Sequence, residues 1–140
     1  MNSSLGHILL IANPAAQSGA GAAAADKAAA NLRAALGEDA VTVARTAGPR
    51  HACAIAEGAQ GAQTVVALGG DGLIHEVVNG LMTRPVGDRP QLGIIPVGSG
   101  NDFARTLGVP AKVDRACDLL LSACSQPADV GRVNGSFFAE

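Results

Sequence analysis

The sequence predicts an α/β fold in which a parallel β-sheet lies between two layers of helices. Short apolar runs alternate along the chain with longer segments of helical spacing, and chains of this kind form parallel sheets with helices on both faces. The helical segments are rich in alanine, which lets a helix pack close to a sheet. At 140 residues the chain is long enough for one domain with a substantial core.

Each predicted strand is a short apolar run that stops at residues unable to continue it. The first run ends at Asn13–Pro14, and proline cannot pair within a central strand. The second ends at the turn Thr46–Pro49, the third at Gly69–Gly72, and the fourth at Pro96. The predicted strands are His7–Ala12, Val41–Ala44, Gln63–Leu68 and Gln91–Ile95.

Each predicted helix combines apolar residues at helical spacing with a residue that begins or ends it. Gly37 and Gly58 stop the first two helices, and Gly108 breaks the fourth. Pro49 is expected in the first turn of the second helix, where its missing N–H costs nothing. Thr83–Pro90, with two prolines and a glycine, is predicted to be a surface loop. The predicted helices are Ala22–Leu36, Pro49–Glu57, Leu73–Met82, Phe103–Leu107 and Val113–Ala123.

The end of the chain changes to an antiparallel pattern. Asp129–Val133 and Ser136–Ala139 flank Asn134–Gly135, a pair of residues that strongly favours a tight hairpin turn. An isolated hairpin is marginal in water, so we expect the chain to be cut at the start of a second domain. We therefore assign residues 1–127 to the α/β domain and residues 128–140 to the first hairpin of a β-rich domain.

Composition and charge disfavour several classes of function. The net charge is -2 and the chain has no Trp or Tyr, so neither phosphate neutralisation nor base stacking favours nucleic-acid binding. No apolar run approaches the ~20 residues of a membrane span. The cysteines are odd in number and lack a Cys-x-x-Cys spacing, so they predict neither a disulfide frame nor a zinc site. Reduced core cysteines in a cytoplasmic protein fit this pattern.

Small and polar residues follow all four predicted strands, at Asn13, Thr46, Gly69–Gly72 and Gly98–Asn101. Because ligands of open parallel sheets bind beyond the carboxyl ends of the strands, these four exits are expected to form one site. A glycine turn ahead of a helix exposes backbone N–H groups and suits a phosphate. One such turn has a purely structural explanation, but four together predict a nucleotide-phosphate site. Neither the P-loop nor the Rossmann fingerprint matches the sequence.

Two aspartates and a glutamate are the candidate chemical groups of this site. Because few basic residues lie near the loops, phosphate charge would depend on backbone N–H groups and a divalent metal. Asp71 and Asp102 are candidate partners of the water shell of Mg²⁺. Asp71 is also a candidate base, unless it only caps its own turn, and Glu76 either reaches ribose or metal or is simply solvated. No role is assigned to His51.

Two long motifs resemble those of the diacylglycerol kinase catalytic domain. Gly69–Leu81 is similar to the glycine-rich motif of that family, and Leu92–Arg105 is similar to its second signature. Asn13–Pro14 with Ser18–Gly21 resembles the N-terminal motif, with about two extra residues between. Asp129–Gly135 with Phe137–Phe138 resembles the entry into the family's second domain.

This resemblance implies a lipid kinase that uses ATP and Mg²⁺ to phosphorylate a lipid hydroxyl. It also implies an N-terminal α/β domain like that of phosphofructokinase and NAD kinase, followed by a β-rich domain. No metal ligand is assigned in this chain. The candidate ATP-binding residues are Asn13, Pro14, Thr46, Gly69, Gly70, Asp71, Gly72, Leu73, Glu76, Gly98, Ser99, Asn101 and Asp102.

The resemblance leaves the lipid open. Leu73 replaces the threonine that is usual in bacterial diacylglycerol kinases, whereas leucine is normal in the sphingosine-kinase branch. In that branch the aspartate at the position of Asp71 is the proposed base. The second signature resembles the bacterial lipid kinases instead. Both diacylglycerol-like lipids and sphingoid bases therefore stay open as substrates.

In bacterial members of the family a carboxylate base and metal-site residues lie in the second domain. We therefore expect this chain alone to have little or no kinase activity. The expected partners are a lipid substrate, the inner membrane face in transient contact with the full-length protein, and a second copy in a homodimer, but no nucleic acid. Two alternatives are an NAD-kinase-like small-molecule kinase and a non-catalytic nucleotide-binding regulatory module.

Overall fold

The computed structural model describes residues 5–97, 102–122, 130–133 and 136–139, without the side chains of residue 103 and of the last two ranges. Short 3₁₀ turns at Glu38–Ala40 and Val86–Asp88 accompany its helices and strands. The elements in chain order are β1 (Ile8–Ala12), α1 (Ala20–Leu36), β2 (Val41–Arg45), α2 (His51–Glu57), β3 (Thr64–Gly69), α3 (Asp71–Met82), β4 (Gln91–Pro96), α4 (Asp102–Leu107), α5 (Val113–Ser122), β5 (Val130–Val133) and β6 (Ser136–Ala139).

Strands β1 to β4 form one parallel sheet in the order β2-β1-β3-β4. Strand β1 pairs with β2 at Ile8↔Val41 and with β3 at Ile8↔Thr64, and β3 pairs with β4 at Thr64↔Gln91. All four strands therefore start at one edge of the sheet and end at the other. This arrangement confirms the predicted α/β class.

The two faces of the sheet are covered by different helices. On one face, Leu10 and Val66 pack in a cluster with residues of α1 and α5. On the other face, Ile11 and Val65 pack in a cluster with residues of α2, α3 and α4. Neighbouring residues of a strand point to opposite faces, so β1 and β3 are apolar at nearly every position. The result is the predicted three-layer sandwich.

Small residues let the helices approach their neighbours closely. A Cβ added at Gly93 in β4 would lie 2.7 Å from Leu120 Cδ2 of α5. A Cβ added at Gly80 in α3 would press on the Cys53 carbonyl oxygen of α2 and lie 2.7 Å from Ala56 Cβ. The absence of a side chain at these positions therefore sets the distance between α3 and α2 and between β4 and α5.

The structure corrects the predicted start of four helices, since α1 begins at Ala20 rather than Ala22 and α4 at Asp102 rather than Phe103. Helix α2 begins at His51, so Pro49 lies ahead of the helix rather than in its first turn. Arg50, directly before α2, has a left-handed φ of 66° that interrupts the helical conformation. Helix α3 begins at Asp71, two residues earlier than predicted, because Gly72 already has helical conformation and only Gly70 connects β3 to α3.

The last two strands pair antiparallel, from Val130↔Ala139 to Val133↔Ser136, as the hairpin pattern predicts. The turn residues Asn134–Gly135 and the proposed domain boundary at residue 127 lie outside the described residues. The division into two domains therefore stays a prediction.

The cysteines in the described part of the chain are free thiols. Cys117 of α5 is buried in the core, and burial raises the pKa of its thiol to about 11. Cys53 of α2 is half-buried. Both positions agree with the prediction of small reduced residues, whereas Cys124 lies outside the described residues.

Gly80→Ala is expected to destabilise the protein by about 1–3 kcal/mol, because the added methyl group has no space against α2. Gly72→Ala is the matched control in the same helix, since a Cβ there meets nothing within 4 Å. It should leave stability unchanged or raise it by up to about 1 kcal/mol. Urea unfolding followed by circular dichroism measures both changes, and equal effects at the two positions would contradict the packing argument.

Candidate functional site

The ends of all four parallel strands are joined in a row at the carboxyl edge of the sheet. Three backbone hydrogen bonds continue the strand ladders into the loops that follow. They run from Thr46 N–H to the Ala12 carbonyl (2.9 Å), from Asn13 N–H to the Leu68 carbonyl (3.3 Å) and from Val97 N–H to the Gly69 carbonyl (2.9 Å). The structure thus brings together the predicted exits at Asn13, Thr46 and Gly69, with the end of β4 beside them. Gly98, Ser99 and Asn101, which follow β4, lie outside the described residues.

The first exit is built around Asn13. Its side-chain Oδ1 accepts a hydrogen bond from the Ala15 N–H (3.1 Å), and its carbonyl accepts one from the Ala16 N–H (3.1 Å). Gly21, in the first turn of α1, packs so tightly that an added Cβ would press on the Asn13 carbonyl oxygen. Gly21 was not among the predicted site residues, yet its missing side chain lets α1 start beside the site. Pro14 follows Asn13 and is half-buried.

The connection between β3 and α3 is shorter than the predicted loop Gly69–Gly72. Gly69 is the last residue of β3, and Gly70 alone leads into the twelve-residue helix α3. Because the N-cap residue is Gly70, no side chain caps the helix. A Cβ at Gly72 would meet nothing within 4 Å, so the approach to this part of the first turn is open. A helix start of this kind favours an anion through its N–H groups and its dipole.

Leu73 has a different role from its glycine neighbours. Its side chain is 8% exposed and belongs to the core cluster between the sheet and α3. It fills the space next to Gly69, where an added Cβ would lie 2.6 Å from Leu73 Cδ2. The Leu73 side chain therefore packs in the core, and a ligand at the loop could contact this residue only through its backbone.

Asp71 connects the starts of α3 and α4. Its Oδ2 accepts a hydrogen bond from the backbone N–H of Asp102 at 2.9 Å, across 31 positions of sequence. The Asp102 carboxylate in turn forms an ion pair with Arg105 at 2.8 Å. The structure therefore places the two predicted aspartates side by side, and the Asp71 carboxylate bridges two helices.

Glu76 lies on the side of α3 that faces α2. Burial raises the pKa of the Cys53 thiol, and the charges of Glu57 and Glu76 raise it further, which places Glu76 near α2. Its Oε1 is buried and, among the described residues, has no hydrogen-bond partner. A buried polar atom without a partner is costly. Glu76 is therefore not the simple solvated residue that was one of the two predictions for it.

Three arginines near the loops, Arg45, Arg84 and Arg105, have partners. Arg45 pairs with Asp26 at 3.1 Å, and Arg105 pairs with Asp102. Arg84 donates to the Ala59 carbonyl at 2.6 Å. In the described part of the chain, no group of three or more His, Cys, Asp or Glu side chains could hold a metal ion. The site thus presents backbone N–H groups and two neighbouring carboxylates rather than a cluster of cations.

His51 is a residue at the site that sequence reasoning missed. It begins α2, and its ring Nδ1 accepts a hydrogen bond from the N–H of Ala47 at 2.8 Å. Ala47 directly follows the predicted ligand Thr46. The sequence does contain a signal for this contact, namely a polar side chain four positions after a residue of the turn. With Pro49 expected in the first turn of the helix, His51 was instead expected inside the helix, where it would not bond to the turn.

Across the described ranges, no helix is long and apolar enough to span a membrane. The fold and site together define an α/β protein with a helix start, a row of strand exits and paired aspartates at one sheet edge. A model of the diacylglycerol kinase catalytic domain matches residues 7–133. The chain therefore belongs to the diacylglycerol kinase catalytic domain family, a family of lipid kinases.

Named relatives agree with this assignment. The chain is 51% identical over 75 residues to a diacylglycerol kinase of Bacillus subtilis (strain 168), covering 53% of this chain and 24% of the relative. It is 42% identical over 74 residues to a diacylglycerol kinase of Staphylococcus aureus (strain JH9), covering 53% of this chain and 23% of the relative.

A crystal structure of a diacylglycerol kinase from Bacillus anthracis str. Sterne has a similar fold. It matches 94% of this chain with a TM-score of 0.82 and 35% identity, and the match covers 45% of that protein. The chain thus spans less than half of the solved structure, and the region shared with the two curated relatives is about a quarter of their length.

Asp71→Ala should release the start of α4, because no carboxylate oxygen remains to accept the Asp102 N–H. We expect the Asp102 amide to exchange with solvent about 5- to 10-fold faster, as the loss of one hydrogen bond implies. Asp71→Asn keeps an acceptor oxygen and should leave this rate within about two-fold of the original. Amide exchange measured by NMR decides the point, and equal acceleration in both variants would contradict a bridging carboxylate.

Proposed function

We propose that this chain is the ATP-binding part of a lipid kinase, which transfers the γ-phosphate of ATP to a lipid hydroxyl. The observation that carries the proposal is the row of strand exits held beside the uncapped start of α3. Membership of the diacylglycerol kinase family supports the reaction class. A kinase of this family is expected to use ATP as the phosphate donor and usually a divalent metal as a cofactor.

The phosphates of ATP are proposed to lie at the start of α3. The N–H groups of its first turn and the positive end of its dipole would bind them. Gly70 and Gly72 leave the approach free of side chains, and Asn13 and Thr46 lie at the neighbouring strand exits. Gly98, Ser99 and Asn101 are assigned to the same site from the sequence motif alone.

The residues present fit Mg²⁺ as a water-bridged ion. Mg²⁺ typically keeps several waters and binds through one or two carboxylates together with substrate phosphates. Asp71 and Asp102, which begin α3 and α4 and are joined by the hydrogen bond from the Asp102 N–H to Asp71 Oδ2, would supply the two carboxylates. The metal, when bound, would neutralise phosphate charge, while Asp71 and Asp102 would orient its water shell.

Glu76 is proposed to bind the nucleoside. It lies five residues after Asp71 in α3, about 7–8 Å along the helix axis. Its Oε1 is buried without a donor in the described part of the chain. A ribose hydroxyl or an adenine amino group would supply one if this half-buried side chain turned toward the nucleotide. The spacing suits a nucleotide whose phosphates lie at the start of the helix.

A diacylglycerol-like lipid is the proposed acceptor rather than a sphingoid base. The named relatives are diacylglycerol kinases. The argument for a sphingoid base was the leucine at position 73. The Leu73 side chain is buried in the core, however, and is not positioned to contact a lipid. Its identity therefore reflects packing against Gly69.

Mg·ATP is expected to bind this chain, and Glu76→Ala is expected to weaken binding about 3- to 10-fold through loss of one hydrogen bond to a charged group. Glu57→Ala is a matched control, because Glu57 is an exposed carboxylate on the neighbouring helix α2. It should stay within about two-fold of the original chain. Isothermal titration calorimetry measures the affinities, and a complete lack of ATP binding by the original chain would refute the proposed function.

Phosphate transfer from ATP to a dispersed diacylglycerol should be undetectable with the 140-residue chain, since the resemblance places a base and metal ligands in a second domain. Radiolabelled ATP and lipid extraction provide the measurement. NAD is the control acceptor, because its phosphorylation would support the NAD-kinase-like alternative. A robust rate of lipid phosphorylation by this chain would show that the described α/β domain contains all the required groups.

A further inference from the structure

The segment Thr46–Arg50 connects β2 to α2 at the edge of the sheet that holds the site. Thr46 is fixed to β1, because its N–H donates to the Ala12 carbonyl at 2.9 Å. The other end is fixed at α2, where the His51 N–H donates to the Gly48 carbonyl at 3.3 Å. Arg50 turns the chain into the helix with a left-handed φ of 66°.

A ring hydrogen bond closes this segment. The N–H of Ala47 donates to Nδ1 of His51 at 2.8 Å. An imidazole nitrogen accepts a hydrogen bond only when it carries no proton, so this contact requires a neutral ring with its proton on Nε2. Ala47, Gly48 and Pro49 are exposed, and core packing therefore does not hold them. The His51 ring is the side chain that fixes the residue next to Thr46.

We propose that His51 is a positioning residue for the nucleotide site: its ring holds Ala47 so that Thr46 keeps the conformation that binds ATP. The inference rests on the proposed function, in which Thr46 is an ATP ligand. His51 acts through the loop and does not contact the nucleotide. This role requires a hydrogen-bond acceptor at the position of Nδ1. A different side chain that supplies such an acceptor should therefore preserve ATP binding.

Three variants separate the acceptor from the bulk of the side chain. His51→Ala removes the ring, and His51→Phe keeps a ring of similar size without an acceptor. His51→Asn places an amide oxygen where Nδ1 was, because Nδ1 and Oδ1 are attached at equivalent positions of the two side chains. His7→Ala is the matched control. The His7 ring also forms a 2.9 Å hydrogen bond, to Thr42 Oγ1, but it lies at the opposite edge of the sheet, just before β1.

The experiment measures Mg·ATP affinity by calorimetry and the exchange rate of the Ala47 amide by NMR in the complete 140-residue chain. His51→Ala and His51→Phe should weaken ATP binding about 3- to 10-fold, the effect of one hydrogen bond, and should accelerate exchange at Ala47. His51→Asn should restore both values to within about two-fold. His7→Ala should change neither, and the phenylalanine variant decides the comparison if the alanine variant does not fold.

Two results would overturn the inference while the proposed function stands. One is unchanged Ala47 exchange in His51→Phe, which would show that the ring bond does not order the loop. The other is faster Ala47 exchange with unchanged ATP affinity, which would show that the ordered loop does not serve Thr46. Absence of ATP binding by the original chain would instead refute the proposed function and the positioning role with it, and exchange at Ala47 would still report whether His51 orders the loop.

Discussion

The parallel pairing of β1 with both β2 and β3 is the constraint on which the site depends. Because β1 lies between them and all strands run in one direction, residues far apart in sequence leave the sheet side by side. The hydrogen bonds of Thr46 and Asn13 then continue the two ladders by one step beyond the strands. The start of the site is therefore an extension of the sheet, and the backbone of Asn13 and Thr46 is positioned by the strands beside it.

The missing side chains of glycine residues bring the helices to this edge. Gly21 lets α1 begin against the Asn13 carbonyl, Gly69 leaves space for Leu73, and Gly80 lets α3 lie on α2. Free space at a helix start is found instead at Gly72 in α3 and at Gly19, the N-cap of α1. Among the described glycines of the motifs, close packing thus explains some, whereas Gly70 and Gly72 leave space for a ligand.

The sequence was sufficient to predict the strands, the helices and the edge of the sheet where the exits meet, because apolar periodicity and turn residues are local signals. It was insufficient for contacts that tertiary packing creates. Asp71 bonds to a backbone N–H 31 positions away, and the buried oxygen of Glu76 depends on how α2 covers α3. The bond of His51 to Ala47 was missed for a different reason. Pro49 is a good first-turn residue, but the left-handed Arg50 delays the helix to His51.

The ion pairs of Arg45 and Arg105 limit the positive charge that the proposed phosphate site could use. Arg105 is engaged by Asp102 and Arg45 by Asp26, so neither offers an unopposed positive charge to a nucleotide. A triphosphate at this edge would gain its stabilisation from oriented N–H groups and a bridging cation. The Asp71 carboxylate would repel a bare phosphate, and the Asp102 carboxylate would do so wherever Arg105 does not neutralise it. With a divalent ion at the proposed site, Asp71 and Asp102 would instead orient its water shell, and the ion would neutralise phosphate charge. On this argument we expect ATP to bind the proposed site together with a divalent metal and to bind poorly without it.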